Sequence, residues 1–423
     1  MQSYSSLSCL LMKIMLRQMH KDLKYITFIP LIGGMAIANY QATGKKPEFV
    51  LSYEPFQKNE AHLKNYWKEV DWYLIDPETN TLNEDVDYSD IDFVSSVCPC
   101  AGLSNMNMGH SQDSMTNDWM YKAAEYILGT IKPKVYFGEN APGLYSDNNK
   151  KVSDKLYEYA KQYGYSFTIY KTNTELHGIP QRRVRTFYFF WKADKCPLMD
   201  WYNNPSSKPF ESWILDKNVG KHNDISTVDP IEEFAASKWI YEVYCNSDYA
   251  QYVKFFNDKS TNDKRIITAY DYIVRYNKFD EYIDWLNNNP IGQQRLSPKS
   301  KHTHLSIAEY RYNKIKNGMN YYSLEPVMFT GYTSAITGKN VELTLHPVDK
   351  RYLTTREIMS MMGLPVDFEL VTPNIVHVTQ NVPVCTAKDM TEQVVKFING
   401  ELEMSEYTYI KQNNLKQVID YKL

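Results

Sequence analysis

Two thiols, one carboxyl and a run of alternating polar side chains are the groups in this chain best equipped for chemistry. Residues Val97 to Ser104 read V-C-P-C-A-G-L-S. They follow a short β-prone run, Ile91 to Ser96, and precede a long helical pattern. A thiol at such a switch lies at the carboxyl edge of a sheet, where open α/β folds place their ligands. Backbone amides around Gly102 can lower its pKa and make a thiolate available. The competing reading makes Cys98 and Cys100 small buried hydrophobes. Glu139 ends another strand pattern, Lys132 to Gly138, and a carboxyl in a partly apolar pocket can hold a proton near neutral pH and act as an acid. Gln181, Arg183 and Arg185 alternate, so they share one face of an extended segment. Such groups beside an aromatic strand need acidic partners or an anionic ligand. Pairing with Glu139 simply to hold a sheet edge is the structural alternative.

The elements that must position these groups follow an α/β order. The run from Tyr25 passes through Gly33-Gly34 into a helix, the arrangement in which backbone approaches a nucleotide-type ligand closely. Glu48 to Pro55 reads as a second strand. It ends in Glu54, 20 residues past Gly34, where an acidic side chain suits a ribose diol; a solvated strand-end glutamate is the alternative. Asp85, in the acidic run Asn83 to Asp87, can accept from an adenine amino group, although most such clusters are solvated loops. Asp113 to Gly129 and Val152 to Tyr163 have helical periodicity, and Tyr165 to Tyr170 reads as a strand. From Lys192 to about Glu325 the alternation stops and Asp, Asn, Lys, Tyr and Trp dominate. Its most basic stretch carries Arg295, Lys299, Lys301, Arg311, Lys314 and Lys316, with Tyr310 and Tyr312 interleaved. That pattern can follow a phosphate backbone or form a solvated helix face. Regular patterning resumes after Gly338. Thr354 has N-cap chemistry with Glu357 at capping-box spacing, and Gly363 with Pro365 ends that helix. Asp389 to Ile398 is a last core helix, and the polar tail past Glu401 reads as peripheral, with room for a helix.

Composition narrows the class. A chain of 423 residues, 43% hydrophobic and 23% charged, is an ordinary globular protein with two or three domains' worth of material. Its six cysteines are scattered, which favours reduced thiols. Cys98-Pro99-Cys100 is too tight for two ligands of one zinc ion, and His302 and His304 have no partner at metal spacing. The amino-terminal 20 residues form an amphipathic pattern broken by charge rather than a signal peptide. No run reaches the length of a membrane span. The net charge of −3 neither advertises nor excludes a nucleic-acid partner.

Taken in order, these segments resemble the C5-cytosine DNA methyltransferase family over most of the chain outside 192–325. The glycine-rich loop is similar to Ile29 to Gly34, the acidic ribose ligand to Glu54, and Pro-Cys to Pro99-Cys100. Glu-Asn-Val is similar to Glu139-Asn140-Ala141, Gln-x-Arg-x-Arg to Gln181 through Arg185, and Arg-x-Leu-Thr-x-Arg-Glu to Arg351 through Glu357. The closing Gly-Asn is similar to Gln380-Asn381, and Lys314 to Asn320 resembles an Ile-x-x-Gly-x-Asn stretch late in the recognition region. Four positions depart: Leu31 stands where the loop's first glycine is expected, Ala101 where Gln is common, Ala141 for Val, and Gln380 for Gly.

The resemblance implies a Rossmann-like α/β methyltransferase domain with a mixed, mainly parallel sheet, plus a smaller, irregular target-recognition domain. The expected segments are a helical extension at 1–24, catalytic parts at 25–191 and 326–400, recognition at 192–325 and a tail at 401–423. It implies Cys100 as nucleophile and Glu139 as acid, with Gln181, Arg183 and Arg185 orienting base and carboxylate. S-adenosyl-L-methionine would be held by Gly33, Gly34, Glu54, Asp85, Pro99 and Asn381. Double-stranded DNA would meet Ser104, Asn140 and the basic residues from Arg295 to Lys316. A monomer without membrane contact, in the cytoplasm of a prokaryotic or phage-infected cell, is expected, and a cognate restriction endonuclease is left open. So are an RNA (tRNA) substrate, a catalytically altered DNA-binding relative, and a pyrimidine-modifying enzyme with another methyl donor.

Overall fold

A computed structural model describes residues 23–99, 102–103, 113–205, 222, 227–319, 325–328, 333–338, 341–372 and 374–422. The amino-terminal extension therefore lies almost wholly outside the described residues, as do Cys100 and Ser104. The chain divides into two compact units, Met1–Ser207 with Met359–Leu423, and Lys208–Ile358.

The first unit is built on β1 (Tyr25–Phe28), α1 (Gly34–Thr43), β2 (Val50–Tyr53), α2 (Gln57–Tyr66), β3 (Trp72–Asp76), β4 (Thr81–Leu82) and β5 (Phe93–Val97). It continues with α3 (Asp118–Tyr126), β6 (Val135–Asn140), α4 (Lys150–Tyr163), β7 (Ser166–Asn173), β8 (Gln181–Arg182) and β9 (Val184–Trp191). With β11 (Tyr409–Asn413) and β12 (Val418–Lys422) from the carboxyl-terminal tail, ten strands form one sheet, in the order β12-β11-β7-β9-β6-β5-β1-β2-β3-β4. The centre, from β3 through β6, is parallel. The β9 strand is antiparallel to both of its neighbours, β6 and β7. Strands β1, β2, β5 and β6 are buried at every position. Helices over both faces of a parallel sheet require this, and it explains why these strands read as apolar runs rather than alternating ones.

The second unit contains α5 (Ala235–Cys245), α6 (Tyr249–Asn262), α7 (Ala269–Arg275), α8 (Phe279–Asn288) and α9 (His304–Lys316), with a two-residue strand β10 (Thr333–Ser334). Where the sequence suggested irregular structure, helices pack around an aromatic core that includes Trp239, Tyr252, Phe256, Tyr270 and Tyr282. Met328, Leu345 and Tyr352 belong to that core. The unit consequently runs to Ile358, past the boundary expected near residue 325.

After α10 (Thr355–Met361) come α11 (Ile375–Thr379) and α12 (Val384–Ile398). Thr391 Oγ1 on α12 donates to Asn39 Oδ1 on α1 at 2.8 Å, and Asn39 Nδ2 donates to Ser95 Oγ on β5 at 2.7 Å. This buried relay ties the last helix to the first helix and to the strand that leads into the cysteines. The tail departs from its peripheral, helix-prone reading. It folds as β11 (Tyr409–Asn413) and β12 (Val418–Lys422), with β11 parallel to β7 and fully buried. Its polar residues are accommodated by specific partners: Gln412 Nε2 donates to Met199 O at 2.6 Å, and Lys411 Nζ to Tyr145 O at 3.3 Å. Among the described residues no helix is long and apolar enough to cross a membrane, and no cluster of His, Cys, Asp or Glu could hold a metal ion.

Candidate active site

Strands β5 and β6 are parallel neighbours in a register that sets Val97 opposite Glu139. The chain leaving β5 toward Cys98-Pro99 thus starts beside the strand end that carries the carboxyl. Below that turn, Ser96 Oγ lies 2.9 Å from the Tyr136 hydroxyl and 3.0 Å from the Tyr188 hydroxyl. Cys98 Sγ sits over the same cluster, 3.8 Å from Ser96 Oγ and 3.9 Å from the Tyr188 hydroxyl. Burial pushes the Cys98 thiol up to about 11, so it stays protonated and packs as a structural side chain. On the far side of the loop, Gly102 is closely enclosed: a Cβ there would lie 2.6 Å from Asn117 Oδ1. Leu103 is buried, and its carbonyl would lie 2.2 Å from any Cβ at Gly143. Both flanks of Cys100 are therefore fixed to the sheet's carboxyl edge, while Cys100 itself is outside the described residues. Pro99 is half-buried at the edge of that gap.

Glu139 is 5% exposed, and Arg185 Nε contacts its Oε1 at 2.7 Å. Burial raises the carboxyl above its ordinary range, opposed by the positive charges of Arg185 and Arg183. The result is a carboxyl whose proton is held by desolvation and whose anion has a guanidinium waiting for it. Arg183 is buried and donates through Nη2 to Thr379 O at 2.7 Å and Asn381 O at 3.2 Å. Gln181 is fully buried; its Nε2 donates to Met361 O at 3.3 Å, and its Oε1 has no hydrogen-bond partner among the described residues. Arg185 reaches the carboxyl directly, while Gln181 and Arg183 hold the segments around α10 and α11. Asn140, expected toward nucleic acid, is fully buried, with Nδ2 at 3.5 Å from Cys98 O and 3.1 Å from Met120 Sδ. It braces the cysteine turn from below.

The glycine loop lies at the end of β1. Gly33 has φ +114° and caps α1. Gly34 N donates to Asn381 Oδ1 at 2.7 Å, and a Cβ at Gly34 would fall 2.1 Å from that oxygen. Leu31 holds φ +50°, so the backbone keeps the left-handed shape a glycine would adopt even though leucine occupies the place. Asn381 is buried and its Nδ2 has no hydrogen-bond partner among the described residues, an orphan donor beside the loop that a bound ligand would satisfy. Glu54 is exposed at the end of β2. Asp85 is exposed outside any strand, beyond the β3–β4 hairpin. The carboxylate at the end of β3, next to β2, is instead Asp76. The backbone amides of Glu78 and Thr79 bond it at 2.7 and 2.9 Å and hold it below the usual range. The apolar run Trp72 to Ile75 closing on Asp76-Pro77 was the sequence signal for it.

In the second unit, Arg295, Lys299, Lys301 and Lys316 are exposed. Lys314 and Lys316 lie over the rings of Tyr310 and Tyr312 at 4.8 and 4.1 Å. Arg311 differs: its guanidinium stacks 4.7 Å from the centre of the buried Tyr270 ring and lines a cavity of about 220 Å³ with Glu233, His304 and Glu325. The Arg351-to-Glu357 motif also has a structural task. Arg351 Nη1 and Nη2 grip Glu357 at 2.9 and 2.8 Å, and Thr354 and Glu357 form the expected reciprocal cap at 3.2 and 2.8 Å.

Comparison with known proteins agrees with this arrangement. The family model of the C-5 cytosine-specific DNA methylases matches residues 26–396. The Type II methyltransferase M.DdeI of Desulfomicrobium norvegicum is 26% identical over 162 residues, 35% of this chain and 38% of that protein. The Type II methyltransferase M.BanI of Aneurinibacillus aneurinilyticus is 24% identical over 225 residues, 51% of this chain and 50% of that protein. The matches thus span half or less of these relatives' length. A solved DNA modification methyltransferase encoded within an E. coli prophage shares the fold at a TM-score of 0.52 and 14% identity, covering 89% of this chain and 100% of that one.

Proposed function

The chain belongs to the C-5 cytosine-specific DNA methylase family, whose pattern it matches from residue 26 to 396, and from that premise we propose that it methylates C5 of a cytosine flipped out of duplex DNA, with S-adenosylmethionine as donor. The observation that carries this reading is the Glu139–Arg185 pair, 2.7 Å apart, with Glu139 on β6, the strand next to the one that leads toward Cys100, and Arg185 on β9.

Cytosine C5 is a poor nucleophile, and covalent addition elsewhere on the ring makes it a better one. The Cys100 thiolate bonds to C6 while Glu139 gives its proton to N3, and the ring becomes an enamine with electron density at C5. A buried acid suits this task because the N3 proton is favoured only as charge develops in the transition state. Arg185 stabilises the carboxylate left behind. Loss of the C5 proton and of the thiol then restores the aromatic ring. Cys98 takes no part, because its thiol is buried and stays protonated. S-adenosylmethionine, when bound, supplies the electrophilic methyl group that C5 takes up. Gly33 and Gly34, Asn381 with its orphan Nδ2, and the strand-end carboxylates Glu54 and Asp76 would hold it. A stacked base is out of reach of any thiol, hence the flipping. The exposed cations of 295–316 are suited to the phosphate backbone.

The test is transfer of a labelled methyl group from S-adenosylmethionine to duplex DNA, with 5-methylcytosine as product. Cys100→Ser should abolish transfer and leave cofactor binding in place. Undiminished turnover in that variant would remove the covalent mechanism, and transfer to tRNA but not to duplex DNA would move the substrate to RNA.

A further inference from the structure

Helix α2 begins three residues past Glu54 and presents Asn59, His62 and Tyr66 at spacings of three and four, one helical face. Each meets the segment that leads to Asn381. Asn59 Nδ2 donates to Gln380 Oε1 at 2.9 Å, and the Tyr66 hydroxyl donates to Asp367 Oδ1 at 3.1 Å. Between them, His62 Nε2 lies 2.9 Å from His377 Nδ1, with both imidazoles buried, and Val371 N donates to His62 Nδ1 at 3.0 Å. The departure at Gln380, where the family commonly has glycine, thus carries a side chain that this contact uses.

These partners bear on where the ring protons sit, as does the Asn374 carboxamide, 3.1 Å from His377 Nε2. The amide of Val371 occupies the lone pair of His62 Nδ1, so the His62 proton sits on Nε2 and points at His377 Nδ1. A second proton on His62 would face the Val371 N–H, and one on His377 Nδ1 would face the His62 N–H. A proton added at either of these two nitrogens breaks the bond described there. Lys58 also faces His377 and, with burial, holds it below the ordinary histidine range. The carboxylate opposite this face, Asp367, is engaged by Tyr66.

We infer that His62 and His377 are positioning residues for the cofactor: the pair clasps α2 to the Asn381 segment and thereby holds the side chain that binds Gly34. The inference rests on the S-adenosylmethionine reading above. Opening the clasp releases α11 and with it the Asn381 carboxamide, so the cofactor loop loses the contact that orders it. Acid should loosen it, since a second proton on His62 displaces the Val371 amide and a proton on His377 Nδ1 displaces the His62 N–H.

The experiment is calorimetric binding of S-adenosylhomocysteine to the full chain across the histidine range. The dissociation constant should rise about tenfold from about pH 7.5 to about pH 5.5. His62→Phe, which keeps a ring without its hydrogen bonds, should bind about tenfold more weakly at about pH 7.5, with a flat profile below it. Gln380→Gly should weaken binding only about twofold and keep the wild-type profile, because its contact is exposed. In turnover assays His62→Phe should raise the KM for S-adenosylmethionine and leave kcat at saturation nearly unchanged. A wild-type profile without pH dependence overturns the clasp while the cofactor reading stands, as does a His62→Phe protein with wild-type affinity and profile. Should His62→Phe not fold, the wild-type profile and His377→Gln decide by the same criteria. No binding by the wild type at any pH removes the cofactor reading itself, and the clasp with it.

Discussion

Two glutamates of the first unit are equally hidden from water and differ in what surrounds them. Glu139 at the end of β6 is 5% exposed and Glu60 in α2 is 2% exposed. Glu139 has Arg185 against it, with Arg183 contributing further positive charge. Glu60 has a hydroxyl: Ser52 Oγ donates to its Oε1 at 2.5 Å, while its Oε2 is buried without a hydrogen-bond partner among the described residues. Burial pushes Glu60 up to about 8, opposed by the Ser52 hydrogen bond and then by the charge of Lys64. A buried carboxyl with a raised pKa is therefore no mark of a reaction centre. The distinguishing feature is an opposite charge that receives the anion, because an acid must be able to let its proton go.

The most direct way to break this comparison is to remove each carboxyl's ability to ionise. Glu139→Gln keeps the shape and cannot donate a proton, and turnover should fall roughly a thousandfold, measured as single-turnover methyl transfer, with cofactor binding retained. An active Glu139→Gln protein would put the acid elsewhere.

Glu60→Gln should do the reverse, sparing turnover and changing stability. The folded pKa of Glu60 is raised from 4.5 to about 8, so its contribution is fully present below the unfolded value and is lost as pH rises toward the folded one. Wild-type stability should decline across that window and Glu60→Gln should not. At pH 8 the variant should be more stable by about 2 kcal/mol in urea unfolding, after allowance for an amide with one unpaired end. Equal slopes in both proteins would show that Glu60 is ionised in the fold.

What the sequence disclosed depended on whether burial and hydrophobicity coincide. Strands β1, β2, β5 and β6 and the turn at Gly33-Gly34 were readable because apolar runs and glycines mark them, and the Thr354–Glu357 cap because its chemistry is local. The tail strand β11 was not. Lys411, Gln412 and Asn413 are buried in it, and only the fold brings the partners that make this tolerable. The helices of the second unit were not legible for a similar reason: tyrosines form much of its core, and composition does not tell a buried ring from an exposed one. At the site, Glu139, Arg183 and Arg185 were legible as types at a spacing. Asp76 had a local signal in the apolar run that it ends, but its place beside β2 needed the strand order. The His62–His377 pair was not legible at all, since 315 residues separate its members.

The same distinction between a group held for chemistry and one held for packing can be sharpened at Leu31. Its φ of +50° is a region that L side chains enter at a cost of roughly 1–2 kcal/mol, yet the leucine is 8% exposed and contributes buried apolar surface. Truncation to alanine removes the surface and leaves the strain, so Leu31→Ala should lose about 2 kcal/mol. Glycine removes the same surface, but the backbone then sits where glycine prefers, and Leu31→Gly should be the more stable of the two by about 1 kcal/mol. That order inverts the usual one, in which glycine is the worse substitute at a buried position. Chemical denaturation of the two variants measures the gap directly. A glycine variant less stable than the alanine one would mean that the loop does not hold the left-handed shape. The departure at Leu31 would then be a change in the cradle itself rather than a side chain added to an unchanged backbone.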